Sequence, residues 1–226
     1  MKNNVFLRRS LFGMAAAGVV AASFISTGGN ATYADMASET RDLEEFTKIT
    51  ILGAAELDVT AGKSQEVTVR TEDDFLKEVL TYVKNGTLYI DMREKDRRRR
   101  FWDNVDVEVN INVENLEGIE VLGAIDGDFS DIDAENFDIE IKGAADLDIE
   151  GTCGTLNLDV KGAGDINAKN FECSSVEVQV KGAGSASVYA KEDIDADVSG
   201  VGSISIYGEP AKVRKHVGGI GSISIK

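Results

Sequence analysis

Residues 143–161 and 162–181 read GAADLDIEGTCGTLNLDVK and GAGDINAKNFECSSVEVQVK, two consecutive periods of one pattern. Each period opens with glycine, continues as a short alternation of polar and apolar residues, and closes with a second alternation that ends in lysine. Alternation at period two places alternate side chains on opposite faces of a β-strand. The stretch therefore predicts two short strands per period, joined at corners where glycine allows the chain to bend sharply.

The opening motif recurs throughout the C-terminal half of the chain. It reads GAIDGDF, GAADLDI, GAGDINA, GAGSASV, GVGSISI and GIGSISI, beginning at Gly123, Gly143, Gly162, Gly182, Gly200 and Gly219. A coil of about 19 residues cannot bury its apolar face alone, so successive coils must stack, with neighbouring strands about 4.8 Å apart. The repeat predicts an all-β, single-domain parallel β-helix, or solenoid. Six separate hairpins are the alternative, but the Asn-Gly and Asp-Gly turns that hairpins favour are scarce.

The N-terminal half carries the same motif once, as GAAELDV from Gly53. Further alternating runs follow at 66–70 and 105–113, and residues 73–80 (DDFLKEVL) suggest a short helix. Irregular coils are expected where a solenoid starts. We therefore expect the β-helix domain to span 46–226, after a short flexible segment at 35–45.

The first 34 residues have the pattern of a signal peptide. A basic start precedes a short apolar stretch from Leu11 to Ile25, and small residues then allow cleavage after Ala34. Arg8-Arg9 resembles a twin-arginine leader, and Sec export remains open as the alternative. The pattern predicts an exported protein, either periplasmic or at the cell surface or secreted.

The charge balance excludes nucleic acid as an expected partner. The whole chain has 24 basic and 40 acidic residues. Removing the leader, with Lys2, Arg8 and Arg9, leaves 24 − 3 = 21 basic residues, and 21 − 40 gives a net charge of −19. Phosphate binding needs clustered lysine and arginine, whereas an acidic surface suits a soluble exported protein that collects cations. No second long apolar stretch follows Ala34, so no transmembrane span is expected after signal removal.

The two cysteines occupy the same position in successive coils. Cys153 lies nine residues before Gly162, and Cys173 lies nine before Gly182. Residues stacked one coil apart are within disulfide range, and the exported compartment is oxidising. We expect a Cys153–Cys173 disulfide, with two free stacked thiols as the alternative.

Acidic side chains also fall into register from coil to coil. Two polar columns follow the corner glycines, and their acidic members are Asp126, Asp146 and Asp165 in the first and Asp128 and Asp148 in the second. Stacked carboxylates repel each other and invite a counter-ion. One interpretation is a weak Ca²⁺ ladder on these five residues. The other is a solvated acidic face, since Asp and Ser favour corners. No other cofactor is predicted.

One basic cluster stands out in the remainder of the chain. Residues 93–102 read REKDRRRRFW, and Arg97, Arg98, Arg99, Arg100 and Trp102 form a candidate ligand-contact loop. Its partner would be an anionic polysaccharide, lipid head groups, another envelope component, or the acidic side of another copy in self-association. A solvated loop between two strands is the alternative.

Catalytic residues are not assembled in any recognisable pattern. The chain has one histidine, His216, so no Ser-His-Asp set is evident, and the many carboxylates do not mark a cleft. Next to it, Lys215 occupies a column that Ala196 and Val178 fill in earlier coils. Either the final coil opens there or the register slips.

Four stretches together resemble a known family. They are Phe46 to Val59, Gly86 to Ile90, Val105 to Gly123, and Gly202 to Pro210, which ends in GSISIYGEP. In this order they resemble the head-GIN-domain, autotransporter-adhesin-like family of exported bacterial proteins. The resemblance implies a right-handed β-helix and a role in adhesion, and it supplies no catalytic residues. The Arg97–Arg100 run departs from the family pattern.

The sequence thus favours an exported, non-enzymatic β-helix that acts as an adhesin or as a binding or structural module of the envelope. A polysaccharide-active lyase or hydrolase remains an alternative because β-helices host such enzymes. A weak Ca²⁺-binding envelope protein is a second alternative.

Overall fold

The glycine-initiated repeats fold into stacked β-coils. A computed structural model describes residues 36–92 and 105–226. The strands are β1 (Met36–Arg41), β2 (Lys48–Leu52), β3 (Ala54–Thr60), β4 (Glu66–Glu72), β5 (Leu80–Lys84), β6 (Thr87–Asp91), β7 (Glu108–Asn112), β8 (Gly118–Val121), β9 (Ala124–Ile141), β10 (Ala144–Val160), β11 (Ala163–Val180), β12 (Ala183–Val198), β13 (Val201–Tyr207), β14 (Lys212–Val217) and β15 (Ile220–Ile225). They form a β-solenoid of about 5 turns with coils of roughly 20 residues, as the repeat predicts.

The regular coils are parallel and in register. Strands β9, β10, β11 and β12 each run 16 to 18 residues and wrap around most of a coil. The second half of β10 pairs Leu156 with Val176 and Leu158 with Val178 of β11, so like residues stack on like. Alternate residues point inward, which continues the apolar columns from coil to coil. The parallel pairing excludes separate hairpins in this part of the chain.

The corners require glycine because consecutive coils approach too closely for a side chain. A Cβ built on Gly162 would lie 1.9 Å from the carbonyl oxygen of Gly143, and one on Gly182 would lie 1.8 Å from that of Gly162. Both distances are far below any real contact. The corner glycine therefore fixes how tightly the coils can stack.

The first coils are less regular and partly antiparallel. Strand β4 pairs antiparallel with β1 and β7, and β5 and β6 form a hairpin. The hairpin turns at Asn85-Gly86, where both residues have the positive φ that a tight two-residue turn needs. Met36–Arg41, expected to be flexible, is strand β1, because its pairing with β4 extends the sheet. The expected helix at 73–80 is only a single 3-10 turn, Asp73–Phe75.

The coil stack presents two strand faces to solvent. The first, which we call the groove face, has the strand order β1-β4-β7-β3-β9-β10-β11-β12-β13-β15 and contains the first halves of the long strands. The ladder face follows β5-β6-β2-β8-β9-β10-β11-β12-β14, and uses their second halves. Both keep the period-two alternation, so every second residue on each face is available to a partner.

The core fills the space between these two faces. Phe129, Phe137 and Phe171 are among its largest fully buried side chains. Phe137 and Phe171 contact edge to face, with ring centroids 5.2 Å apart. Aromatic packing of this kind adds to the stabilisation from buried area. Among the described residues the core is one continuous cluster of apolar side chains.

Candidate functional site

Two columns of acidic side chains run along the groove face. Asp126, Asp146 and Asp165 are paired in register across β9, β10 and β11, and Asp128 pairs with Asp148 in the same way. Neighbouring members are one strand spacing apart, about 4.8 Å. The structure thus brings together all five acidic residues that the sequence singled out.

The columns extend further than the sequence predicted. Glu56 of β3 is the in-register neighbour of Asp126, and Glu108 of β7 is that of Glu56, while Asp58 neighbours Asp128. The signal was present in GAAELDV, which matches GAADLDI residue by residue around its acidic positions. The sequence did not predict this extension, because the N-terminal half has no constant period from which the neighbour of each strand could be counted.

A groove of about 510 Å³ lies against the first acidic column. Its small apolar residues are Ala54, Ala55, Ala124, Ala144, Ala145 and Ala163, and its carboxylates are Glu56, Asp106, Asp126, Asp146 and Asp165. Val105 and Val107 belong to the same lining. The result is a smooth alanine floor beside a row of carboxylates, one per coil.

These carboxylates have few charge partners. Among residues 36–92 and 105–226, no lysine or arginine forms an ion pair with Asp126, Asp146 or Asp128. Asp165 accepts a hydrogen bond from the Ser185 hydroxyl. Although Asp128 is exposed, partial desolvation and the nearby charges of Asp148, Asp126, Asp58 and Glu150 raise the pKa of its carboxyl. Arg70 pairs with Glu108 at the β4–β7 end of this face, at 2.7 Å, so the carboxylates that the described residues leave without an ion pair are those of the middle strands.

The ladder face provides the opposite case. Lys142 bridges Glu120 and Glu140 at 2.7 and 2.9 Å, and Lys161 bridges Glu140 and Asp159. Hydrogen bonds from Lys161 and Lys142 lower the pKa of Glu140, and those to Glu120 and Glu140 raise the pKa of Lys142 to about 12. The lysines that end three of the periods, Lys142, Lys161 and Lys181, thus neutralise Glu120, Glu140 and Asp159.

No compact metal centre is evident on either face. Within the described ranges, no group of three or more His, Cys, Asp or Glu is arranged to hold a metal ion. In-register carboxylates form a line rather than a cage, and Ca²⁺ takes six to eight oxygens around one point. The Ca²⁺ ladder on Asp126, Asp128, Asp146, Asp148 and Asp165 stays a prediction.

Cys153 and Cys173 are joined in a disulfide between adjacent coils. Their Cα atoms are 4.4 Å apart, and both residues are buried. The in-register pairing of β10 with β11 brings them together directly. The bridge lies in the core, where it crosslinks the stack and is not available as a surface thiol.

The remaining predicted residues are placed apart from the groove or lie outside the described ranges. His216 is exposed on β14 as the in-register neighbour of Asp197. Ala34 and the residues Arg97, Arg98, Arg99, Arg100 and Trp102 lie outside the part of the chain that the structure describes. Within that part, no helix has the length and hydropathy of a membrane span.

Comparison with known proteins agrees with this architecture. Residues 45–210 match the family model described as "Putative auto-transporter adhesin, head GIN domain". The search of curated proteins gave no match.

Solved structures were matched as well. The crystal structure of a "putative adhesin" from Bacteroides fragilis is 26% identical, with a TM-score of 0.69, and the match covers 85% of this chain and 97% of that one. A "putative adhesin" from Parabacteroides merdae is 16% identical over 84% and 96% of the chains, with a TM-score of 0.48. A "putative lipid binding protein" from Parabacteroides distasonis is 19% identical over 84% and 96%, with a TM-score of 0.44.

Proposed function

The chain belongs to the family described as "Putative auto-transporter adhesin, head GIN domain", and we propose that it is an exported, non-enzymatic binding module that acts in adhesion at the cell envelope. The groove face is its contact surface. Partners of suitable chemistry are polysaccharides or other envelope components that carry positive charge.

The observation that carries this proposal is the contrast between the two faces. On the ladder face each of Glu120, Glu140 and Asp159 has a lysine within 3.1 Å. On the groove face Asp126 and Asp146 have no such partner among the described residues. Unpaired like charges in a row raise the local potential and attract cations. A row of adjacent carboxylates that the described residues leave without an ion pair is a feature expected of a binding surface.

The repeat geometry suits adhesion. Each coil adds one carboxylate beside the alanine floor, so a polymeric partner would meet the same contact at each strand spacing. Individually weak exposed contacts gain strength when several engage at once on one scaffold. Binding of this kind needs no enclosed pocket and no reacting group.

A glycan-binding experiment tests the proposal. Chitosan and chitin share a backbone but differ in charge, and alginate is anionic. We expect the full chain to bind chitosan, under mildly acidic conditions that protonate its amines, in preference to chitin and alginate. The triple variant Asp126→Asn, Asp146→Asn, Asp165→Asn should weaken binding about tenfold or more.

The ladder face supplies the matched control. Glu120→Gln, Glu140→Gln, Asp159→Asn removes the same number of charges and should leave chitosan binding nearly unchanged. Equal losses in both variants would mean that net charge alone is responsible, and the groove would lose its role. Products appearing in the same incubations would favour the polysaccharide-active alternative.

Export is tested separately, by sequencing the N-terminus of the protein recovered outside the cytoplasm. Cleavage after Ala34 makes Asp35 the first residue. Digestion of intact cells with added protease then separates a surface location from a periplasmic one. Recovery of the uncleaved chain in the cytoplasm alone would contradict the proposal of export.

A further inference from the structure

The last described coil, formed by β14 and β15, has one side that no described strand covers, and we call this side the open end of the stack. Among the described residues β14 pairs only with β12, and β15 pairs only with β13. Ile204 and Ile206 of β13 are fully buried beneath β15, whereas Ile225 at the equivalent position of β15 is 50% exposed. The apolar columns of the core therefore reach solvent here.

The backbone of this coil also continues the hydrogen-bonding pattern outward. The carbonyls of Val198, Gly200 and Ile206 accept bonds from the amides of the last coil at 2.8 to 3.0 Å. Val217, Gly219 and Ile225 hold the same places one coil further on. Their carbonyls face the side where a next coil would stack, so this edge is a template for another strand.

Strand β15 lacks two of the features that protect such an edge, a charged residue and a proline. Residues 219–225 read GIGSISI, with no charge and no proline, and differ at one position from GVGSISI at 200–206, on which they stack. The free edge of β15 thus has nearly the same sequence as the edge of β13 with which β15 pairs. A strand of this same type, from a second copy of the chain, is the occupant that the edge fits.

Strand β14 differs from the inner coils at one inward position. Lys215 is the in-register neighbour of Ala196, which stacks on Val178, and both of those residues are fully buried. The register does not slip, so the lysine stands on the inward side of its strand, and it is exposed because no described strand covers it. Its neighbours Val213 and Val217 keep the apolar pattern.

We propose that Lys215 is a stacking block that keeps a second copy of the chain from adding to the open end of the solenoid. A coil placed on β14 would enclose the Lys215 ammonium in an apolar column with no carboxylate to pair with it. Burying an unpaired charge is strongly unfavourable, and inward-pointing charges are a known protection of sheet edges. Because β14 and β15 belong to the same coil, a second copy cannot stack on β15 without also covering Lys215 of β14. The lysine therefore also protects the edge of β15.

The experiment compares oligomeric states of the full chain by light scattering coupled to size exclusion, over a wide concentration range. The wild-type chain should remain monomeric. Lys215→Val, which continues the Val178 column, should associate with rising concentration, to roughly twice the monomer mass if two ends pair by a two-fold axis. If Lys215→Val does not fold, Lys215→Ala, which matches Ala196 of the adjacent coil, is used in its place.

Three controls separate blocking from a general loss of charge. Lys212→Val removes a lysine from the outward side of β14 and should stay monomeric, as should Lys215→Glu, which keeps an inward charge. Adding Ile225→Lys to Lys215→Val should restore the monomer, because it places a new charge in the β15 edge. Circular dichroism and thermal unfolding confirm folding of each variant.

The proposal fails if folded Lys215→Val and Lys215→Ala both remain monomeric at every concentration. It also fails if Lys212→Val or Lys215→Glu associates as strongly as Lys215→Val. Association of the wild-type chain that Ile225→Lys abolishes would likewise overturn it, because the open end would then be an interface rather than a blocked edge.

Discussion

Single residues set the spacing of the stack, and the corner glycines do so most severely. Gly182→Ala would place a methyl group 1.8 Å from the backbone oxygen of Gly162, which no rotation relieves. We expect the free energy of unfolding to fall by about 3 kcal/mol or more. Chemical denaturation of the two proteins measures the difference.

Gly218→Ala is the matched control. The methyl group added there would meet only the flexible His216 ring, at 3.2 Å. The loss should stay within about 1 kcal/mol. Similar losses at both positions would show that the corner glycines are not chosen for close approach.

Individual carboxylates on the two faces should respond to pH in opposite directions. The folded pKa of Asp128 is raised, so the folded state binds the proton more tightly and stability falls as pH rises above the usual value near 3.8. The folded pKa of Glu140 is lowered, so its stabilisation is present above 4.5 and is lost as pH falls through the folded value.

Asp128→Asn should therefore stabilise the protein at neutral pH, by roughly half a kcal/mol because the group is well solvated. Glu140→Gln should destabilise it by less than about 1 kcal/mol, and added salt should shrink both effects. Urea unfolding as a function of pH measures them. A destabilised Asp128→Asn would mean that the acidic column is compensated in solution.

At the scale of elements, the disulfide ties β10 to β11 in the middle of the stack. Cys153 and Cys173 are 20 residues apart in sequence, and removing a crosslink of this span costs about 3 kcal/mol. Cys153→Ala with Cys173→Ala should show that loss, since Ala134 and Ala190 occupy the same column in neighbouring coils. Thermal unfolding with and without reductant provides the measurement.

Mass spectrometry under non-reducing conditions checks the bridge itself. The wild-type chain should be two hydrogens lighter than its fully reduced form. Two free thiols in protein recovered outside the cytoplasm, or equal stability of the wild-type and double-alanine chains under oxidising conditions, would contradict the structural role of the crosslink.

For the whole molecule, the open choice is between a Ca²⁺ ladder and a solvated acidic face. A ligand that binds only the folded chain raises its stability in proportion to the logarithm of its concentration. If the ladder holds Ca²⁺, calorimetry should give a saturable heat and the unfolding temperature should rise with Ca²⁺ more than with Mg²⁺. Asp126→Asn with Asp146→Asn should remove both signals.

Equal small shifts with Ca²⁺, Mg²⁺ and matched ionic strength would instead indicate screening of the acidic face. The absence of both a heat of binding and a thermal shift would exclude the Ca²⁺ ladder on the groove face. Neither result depends on the stacking block at Lys215, which lies on β14 at the end of the ladder face, so the two tests remain separate.

The sequence alone determined the regular coils and the columns within them. Because alternation has period two and the glycine corners recur at nearly constant spacing, the partners of Leu156, Cys153 and Asp146 follow by counting. Such a prediction needs no long-range information, since each coil repeats the one before it.

Only the tertiary structure decided which parts of this surface differ from one another. The N-terminal segments have no constant period, so the places of Glu56 and β1 depend on contacts distant in sequence. Glu140 is neutralised because the Lys161 side chain extends from the adjacent coil to its carboxylate. Lys215 is exposed because no described strand covers β14 on that side. The repeat gives every coil the same backbone and the same inward columns. Coils differ in ion pairing, where side chains extend from one coil to the next, and in exposure, at the last described coil.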